Sequence, residues 1–177
     1  MKNVLHYSWV ILKLLTVKST QKLLKFPTNI IEWMDCYFMK TEEIILNNFQ
    51  LKYPLERLAL LSDILFLDIE TTGFLTGNSS IYLIGCAYYE DGNWKLRQWF
   101  AQMPDEESEI LSAFLAFAEP YSYLIHYNGN TFDLPFLRKK ADKYGISYTL
   151  SSKKGLDIFR RITPYKNFLK LPDCKLK

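Results

Sequence analysis

The chain has 177 residues, room for one domain and an appendage. With 49% hydrophobic and 16% aromatic residues it carries ample material for a packed core, which excludes a disordered tail. The net charge of +3 divides unevenly, with 10 Lys/Arg against 16 Asp/Glu in residues 1–137 and 12 against 3 in residues 138–177. Such a division fits phosphate meeting protein beside a carboxylate-rich site, and equally a solvated lysine-rich helix face. Cys36, Cys86 and Cys174 are scattered and odd in number, which favours a reducing cytoplasm over a disulfide framework. Two histidines, His6 and His126, exclude a histidine-rich zinc site.

In chain order, Met1–Val17 is fairly apolar, but His6 and Lys13 interrupt it short of the about 18 residues of a membrane span, so no membrane association is expected. Residues 1–40 read as a helical extension broken at Pro27, with translation from Met39 as an alternative that would make them non-native. Residues 41–62 hold an apolar-periodic segment and then Tyr53-Pro54-Leu55, an arm leading into a domain over 63–177. Within that domain, Ile64–Ile69 is apolar on both parities except at its end, as a central strand covered on both faces must be. Ile81–Tyr89 and Trp94–Phe100 flank Asp91-Gly92-Asn93 and predict a hairpin. Asp105–Ala118 predicts a helix with acids in its first turn and an apolar face of Ile110, Leu111, Phe114, Leu115 and Phe117. Tyr123–Tyr127 is a short strand, Asn128-Gly129-Asn130 a turn, and a second helix runs from Asp133 to about Lys143 with Pro135 in its first turn. A short helical stretch and a basic tail follow Gly155. Strands alternating with helices in this way predict a mixed α/β layer architecture.

Two segments carry chemistry. In Asp68-Ile69-Glu70-Thr71-Thr72-Gly73, side chains two apart on a strand share a face, so both carboxylates converge at the end of an apolar strand. Desolvation and mutual repulsion oppose two charges there, and a divalent cation such as Mg²⁺ or Mn²⁺ removes the conflict. Taken alone, the pair also reads as exposed residues at a strand end. In the second segment, His126-Tyr127-Asn128-Gly129-Asn130-Thr131-Phe132-Asp133-Leu134-Pro135-Phe136-Leu137, Asp133 stands at a strand–turn–helix junction. It reads equally as a site acid or as a helix N-cap, and Asn128 as a turn residue tolerating a left-handed backbone.

Together, in this order and about sixty residues apart, the segments resemble the first two exonuclease motifs of the DEDD (DnaQ-like) 3′–5′ exonuclease superfamily. With Ile81-Tyr82-Leu83-Ile84-Gly85-Cys86 and Leu156-Asp157-Ile158-Phe159, the stretch from Tyr53 to Lys177 looks most like the YprB-type ribonuclease H-like domain. That resemblance implies a three-layer ribonuclease H-like fold around a mixed sheet, and phosphodiester hydrolysis in DNA or RNA by a two-metal mechanism. It also implies that Asp68, Glu70 and Asp133 are catalytic and bind two Mg²⁺ or Mn²⁺ ions, and that Thr71, Thr72, Asn128 and Phe132 face the nucleic acid. The family further requires a fourth carboxylate on a later helix, preceded by Tyr or His. The chain ends at Asp173-Cys174-Lys175-Leu176-Lys177, where that helix is expected, so the resemblance implies a domain truncated before its last motif. Neither Asp157 nor Asp173 is assigned the missing role. The alternative is a non-catalytic nucleic-acid-binding module on the same fold.

Other features have two readings each. His126 is a proton shuttle or a packed strand histidine. Tyr88, Tyr89, Trp94 and Trp99 stack on bases or fill the core. Lys139, Lys140 and Lys143 contact phosphates or form a solvated face.

Overall fold

A computed structural model describes residues 39–46, 53–75 and 78–174. The expected N-terminal extension up to residue 38 lies outside the described residues. Six strands form one mixed sheet: β1 (Lys40–Ile45), β2 (Ile64–Thr71), β3 (Ile81–Glu90), β4 (Asn93–Phe100), β5 (Tyr123–His126) and β6 (Lys154–Asp157), in the spatial order β1-β4-β3-β2-β5-β6. The β1/β4, β4/β3 and β3/β2 pairs are antiparallel, and β2/β5 and β5/β6 are parallel. Among the described residues three α-helices accompany it: α1 (Glu107–Ala118), α2 (Asp133–Tyr144) and the short α3 (Ile158–Ile162).

The expected central strand, hairpin and two helices are all present. Asp91 and Gly92 take φ of 51° and 78°, which closes the β3–β4 hairpin with a left-handed pair that matches the twist of the strands. Two strands go beyond the sequence reading. Lys40–Ile45, expected as the end of the N-terminal extension and the start of the arm, is the sheet's edge strand, in register with β4 from Lys40 opposite Phe100 to Ile45 opposite Lys95. Lys154–Asp157 adds the opposite edge by pairing with β5.

The parity of β2 sorts the core. Leu65, Leu67 and Ile69 enter one apolar cluster with Ile110, Leu111 and Phe114 of α1 and Phe136, Leu137 and Ala141 of α2. Ile64 and Phe66 enter a second, with Leu46, Leu55, Trp94 and Leu96, against which Leu58, Leu61 and Ile158 pack. The sheet is therefore covered on both faces, by two long helices on one and by the 53–63 segment and α3 on the other. A strand buried from both sides has to be apolar at every position, as Ile64–Leu67 is.

Tyr88, Trp94 and Trp99 are buried in these clusters and Tyr89 packs against one of them, so of the two readings of the aromatic residues the core is the one realised. Trp99 meets Phe114 edge-on at 5.8 Å between ring centroids, and Trp94 meets Phe66 at 5.7 Å. Lys140 requires a correction. It faces neither phosphate nor solvent: its ammonium is buried, 3.0 Å from Glu107. Glu107 also accepts from the Ile81 amide at 2.6 Å and from the Tyr144 hydroxyl at 2.6 Å, so one carboxylate joins α1, α2 and β3. Lys139 and Lys143 are exposed.

Candidate active site

Asp68 and Glu70 continue the parity of Ile64 and Phe66, on the face away from α1 and α2. Opposite Asp68 on β3 stands Gly85, so no side chain flanks it there, and the register slips between Glu70 and Thr71 where the strand ends. On the other side, β5 pairs with β2 only from Ile64 to Phe66. Beyond that point β2 has an open flank, and the chain leaving β5 turns at Asn128–Thr131 and enters α2 beside it.

Asp133 is the first residue of α2. Its carboxylate accepts from the Ile69 amide at 3.1 Å. That amide points to the flank where β5 is no longer available as acceptor. Asp133 is not the N-cap of α2, a position held by Phe132; its carboxylate reaches sixty-four residues back along the chain to the strand that carries Asp68 and Glu70.

The three carboxylates act on one another. Burial first, then the charges of Asp133 and Glu70, hold the Asp68 carboxyl well above the usual carboxylate range. Burial and then Asp133 push Glu70 up to about 7. Burial raises Asp133 to about 6, opposed by the Ile69 amide and its own backbone amide and aided by the charge of Asp157. Burial is the first cause at all three carboxyls, and the charge of Asp133 adds to it at Asp68 and Glu70. Among the described residues, no Lys or Arg is ion-paired with any of the three.

The donor set has the chemistry of a hard divalent cation: oxygen ligands only, partly desolvated, with excess negative charge and no protein counter-ion. Among the described residues, no group of three or more His, Cys, Asp and Glu side chains is drawn together closely enough to enclose an ion. The acids share a region and a field without forming a finished cage.

The other expected residues surround this region in structural roles. The Thr71 hydroxyl donates to the Gly73 carbonyl at 2.6 Å, and the Thr72 hydroxyl accepts from the Ser80 amide at 2.9 Å, so both are engaged within the loop after β2. Asn128 takes φ of 60°, the left-handed conformation that Asn tolerates. Phe132 packs on Phe136 at 5.5 Å. His126 is fully buried with its pKa lowered by burial, and its Nδ1 accepts from the Gly129 amide at 3.1 Å, so it is a packed strand histidine. Asp157, which carries no role in the sequence reading, is buried and accepts from the amides of Asn128 at 2.9 Å and Asn130 at 3.4 Å. An acid directly before a short helix signals an N-cap, and its carboxylate does accept from the Arg160 amide. Asp173, the other downstream acid, lies outside the helices and strands.

The family model of the RNase_H superfamily matches residues 65–177, from the first buried residues of β2 to the last residue of the chain. The chain belongs to the RNase_H superfamily. Its six-stranded mixed sheet and three helices are consistent with that superfamily's fold, a fold of nuclease type. Among solved structures, this RNase_H superfamily chain is similar to the family B DNA polymerase from the hyperthermophilic archaeon Pyrobaculum calidifontis. The likeness has 18% identity and a TM-score of 0.47, and covers 64% of this chain and 17% of the polymerase chain. No curated protein matches it. Among the described residues, no helix is long and apolar enough to cross a membrane.

Proposed function

We propose that this chain is a metal-dependent nuclease of the DEDD 3′–5′ exonuclease type, of the YprB-type branch, acting on DNA or RNA. One observation carries the reading: Asp133 bonds to the Ile69 amide between Asp68 and Glu70, sixty-four residues away along the chain, and none of the three desolvated acids has an ion-paired Lys or Arg among the described residues. A desolvated acidic cluster without a counter-ion destabilises the fold unless something outside the polypeptide compensates it.

Asp68, Glu70 and Asp133 would hold two Mg²⁺ or Mn²⁺ ions. When bound, such ions supply Lewis acidity, a nucleophilic water at neutral pH and stabilisation of a departing 3′-oxygen. The chain's own residues do the rest. The Ile69 amide fixes one oxygen of Asp133, leaving the other as a ligand. Glu70 would bind one ion and help orient the attacking water. Thr71 and Thr72 shape the loop beside the strand end and, with Asn128 and Phe132, form the wall against which a terminal nucleotide would lie. The basic balance of residues 138–177 supplies attraction for the phosphate backbone. A cytoplasmic location fits a nuclease whose three cysteines are scattered and odd in number.

Mn²⁺-dependent cleavage of labelled single strands of DNA and RNA, wild type beside Asp68→Ala, tests this. Cleavage by the wild type and loss in the variant support it; equal rates in both remove Asp68 from the mechanism. The absence of a closed cage among the described residues favours a second reading, a non-catalytic nucleic-acid-binding module on the same fold. Binding by both proteins, with no cleavage at any Mn²⁺ concentration, selects that reading.

A further inference from the structure

The turn that delivers Asp133 is built by side chains from elsewhere. Three successive amides, those of Asn128, Gly129 and Asn130, point at side-chain acceptors rather than at backbone. Asp157 Oδ1 takes the first at 2.9 Å and Oδ2 the third at 3.4 Å, while His126 Nδ1 takes the second at 3.1 Å. Consecutive amides arranged around a left-handed residue make an anion-binding concavity. Here the anion is internal, and it comes from β6, the strand beyond β5. The far end of the turn is tied to the helix: the Gly129 carbonyl accepts from the Leu134 amide at 2.9 Å, and the next side chain back is Asp133. The packing leaves little play, because a Cβ at Gly129 would stand 2.7 Å from the His126 ring.

We infer that Asp157 is a positioning residue for Asp133: by gripping the β5–α2 turn, its carboxylate fixes where the Asp133 side chain lies against β2. Asp157 touches no reacting atom in this arrangement. Its influence runs through the turn to Leu134 and Asp133, and is read out at the Ile69 amide, whose acceptor is Asp133. The consequence for metal binding rests on the nuclease reading; the consequence for Ile69 does not.

The test uses the full chain and two kinds of variant. Asp157→Asn keeps the size but replaces one acceptor oxygen by a donor group facing an amide; Gly129→Ala displaces the turn from the His126 side. Amide hydrogen exchange resolved by NMR reports Ile69 directly, with Ile84 and Cys86 in the sheet as controls. We expect exchange at Ile69 to rise about tenfold or more in both variants with the controls unchanged, and Mn²⁺ affinity to fall about 10–100-fold, the range for groups that orient a metal ligand. On an Asp133→Asn background, Asp157→Asn should weaken Mn²⁺ binding no further. Unchanged protection at Ile69 in both variants overturns the inference. So does loss of protection at Ile69, Ile84 and Cys86 together in both variants, because Asp157 would then hold the fold and not Asp133. A wild type that binds no Mn²⁺ but loses Ile69 protection on Asp157→Asn refutes the nuclease reading and leaves the positioning role standing.

Discussion

Glu107, between the helices and the sheet, and the trio Asp68, Glu70 and Asp133, at the open end of β2, are all desolvated acids, and they have opposite surroundings. Glu107, at 0% exposure, faces an ammonium, a phenol and a backbone amide, so both oxygens are engaged. Asp68, Glu70 and Asp133 have no ion-paired Lys or Arg among the described residues, and the Ile69 amide donates to Asp133. Burial of a carboxylate is therefore uninformative by itself. The partner set separates an acid that ties elements together from acids that call for an external charge.

The sharpest way to break this comparison is to remove one acid from each group. Asp68→Asn should lower Mn²⁺-dependent cleavage by about two to three orders of magnitude, since metal-ion stabilisation is worth several kcal/mol. The same change should leave the melting temperature of the metal-free protein level or raised. A lower melting temperature together with unimpaired cleavage would place Asp68 in the Glu107 class.

At Glu107 the signs reverse. Lys140→Met strands the Glu107 carboxylate and should cost about 3–5 kcal/mol in urea unfolding, as breaking a buried pair does. The double variant Glu107→Gln/Lys140→Met keeps an acceptor for the Ile81 amide and should recover most of that loss. A full loss in the double variant would show that the lysine matters through packing and not charge.

A smaller effect distinguishes the two groups by pH. Asp133 and Glu70 are raised from ordinary values of 3.8 and 4.5 to about 6 and about 7, and Asp68 is raised as well. The folded chain therefore binds more protons than the unfolded one between about pH 4 and pH 7, and stability falls as pH climbs through that window. With the half-buried Glu70 discounted for solvent screening, the fall should be on the order of a few kcal/mol. Thermal melts from pH 4 to 8 should show it without metal, and Mn²⁺ at saturating concentration should reverse it. A flat profile without metal would mean that the three carboxyls are not raised in the folded chain. The smallest effect belongs to Lys139, exposed on α2 beside the buried Lys140. Lys139→Ala should leave the melt unchanged and weaken nucleic-acid binding slightly, with a small decrease in its salt dependence.

Much of this is legible in the order of residues alone. The run Ile64–Leu67 has the pattern of a strand covered on both faces, the Asp91–Asn93 turn that of a closed hairpin, and Ile110, Leu111, Phe114 and Leu115 that of one helix face. The pairing of Asp68 with Glu70 follows from strand parity. Lys140 is not legible, because a lysine among Arg138, Lys139 and Lys143 looks solvated until Glu107 is found beneath it. Nor is Lys40–Ile45, whose charges at Glu42 and Glu43 conceal a strand. It forms because β4 offers a free edge and Arg97 and Tyr88 both engage Glu43.

Near neighbours along the chain thus settle the period of each element, its turns, and which acids share a strand face. Distant segments meeting in space settle the rest: that Asp133 bonds to Ile69, that Asp157 holds the turn ahead of it, and that β1 and β6 complete the sheet. Such contacts exist only once the strands are in register and water has left the space between them, and no local pattern of residues encodes either condition.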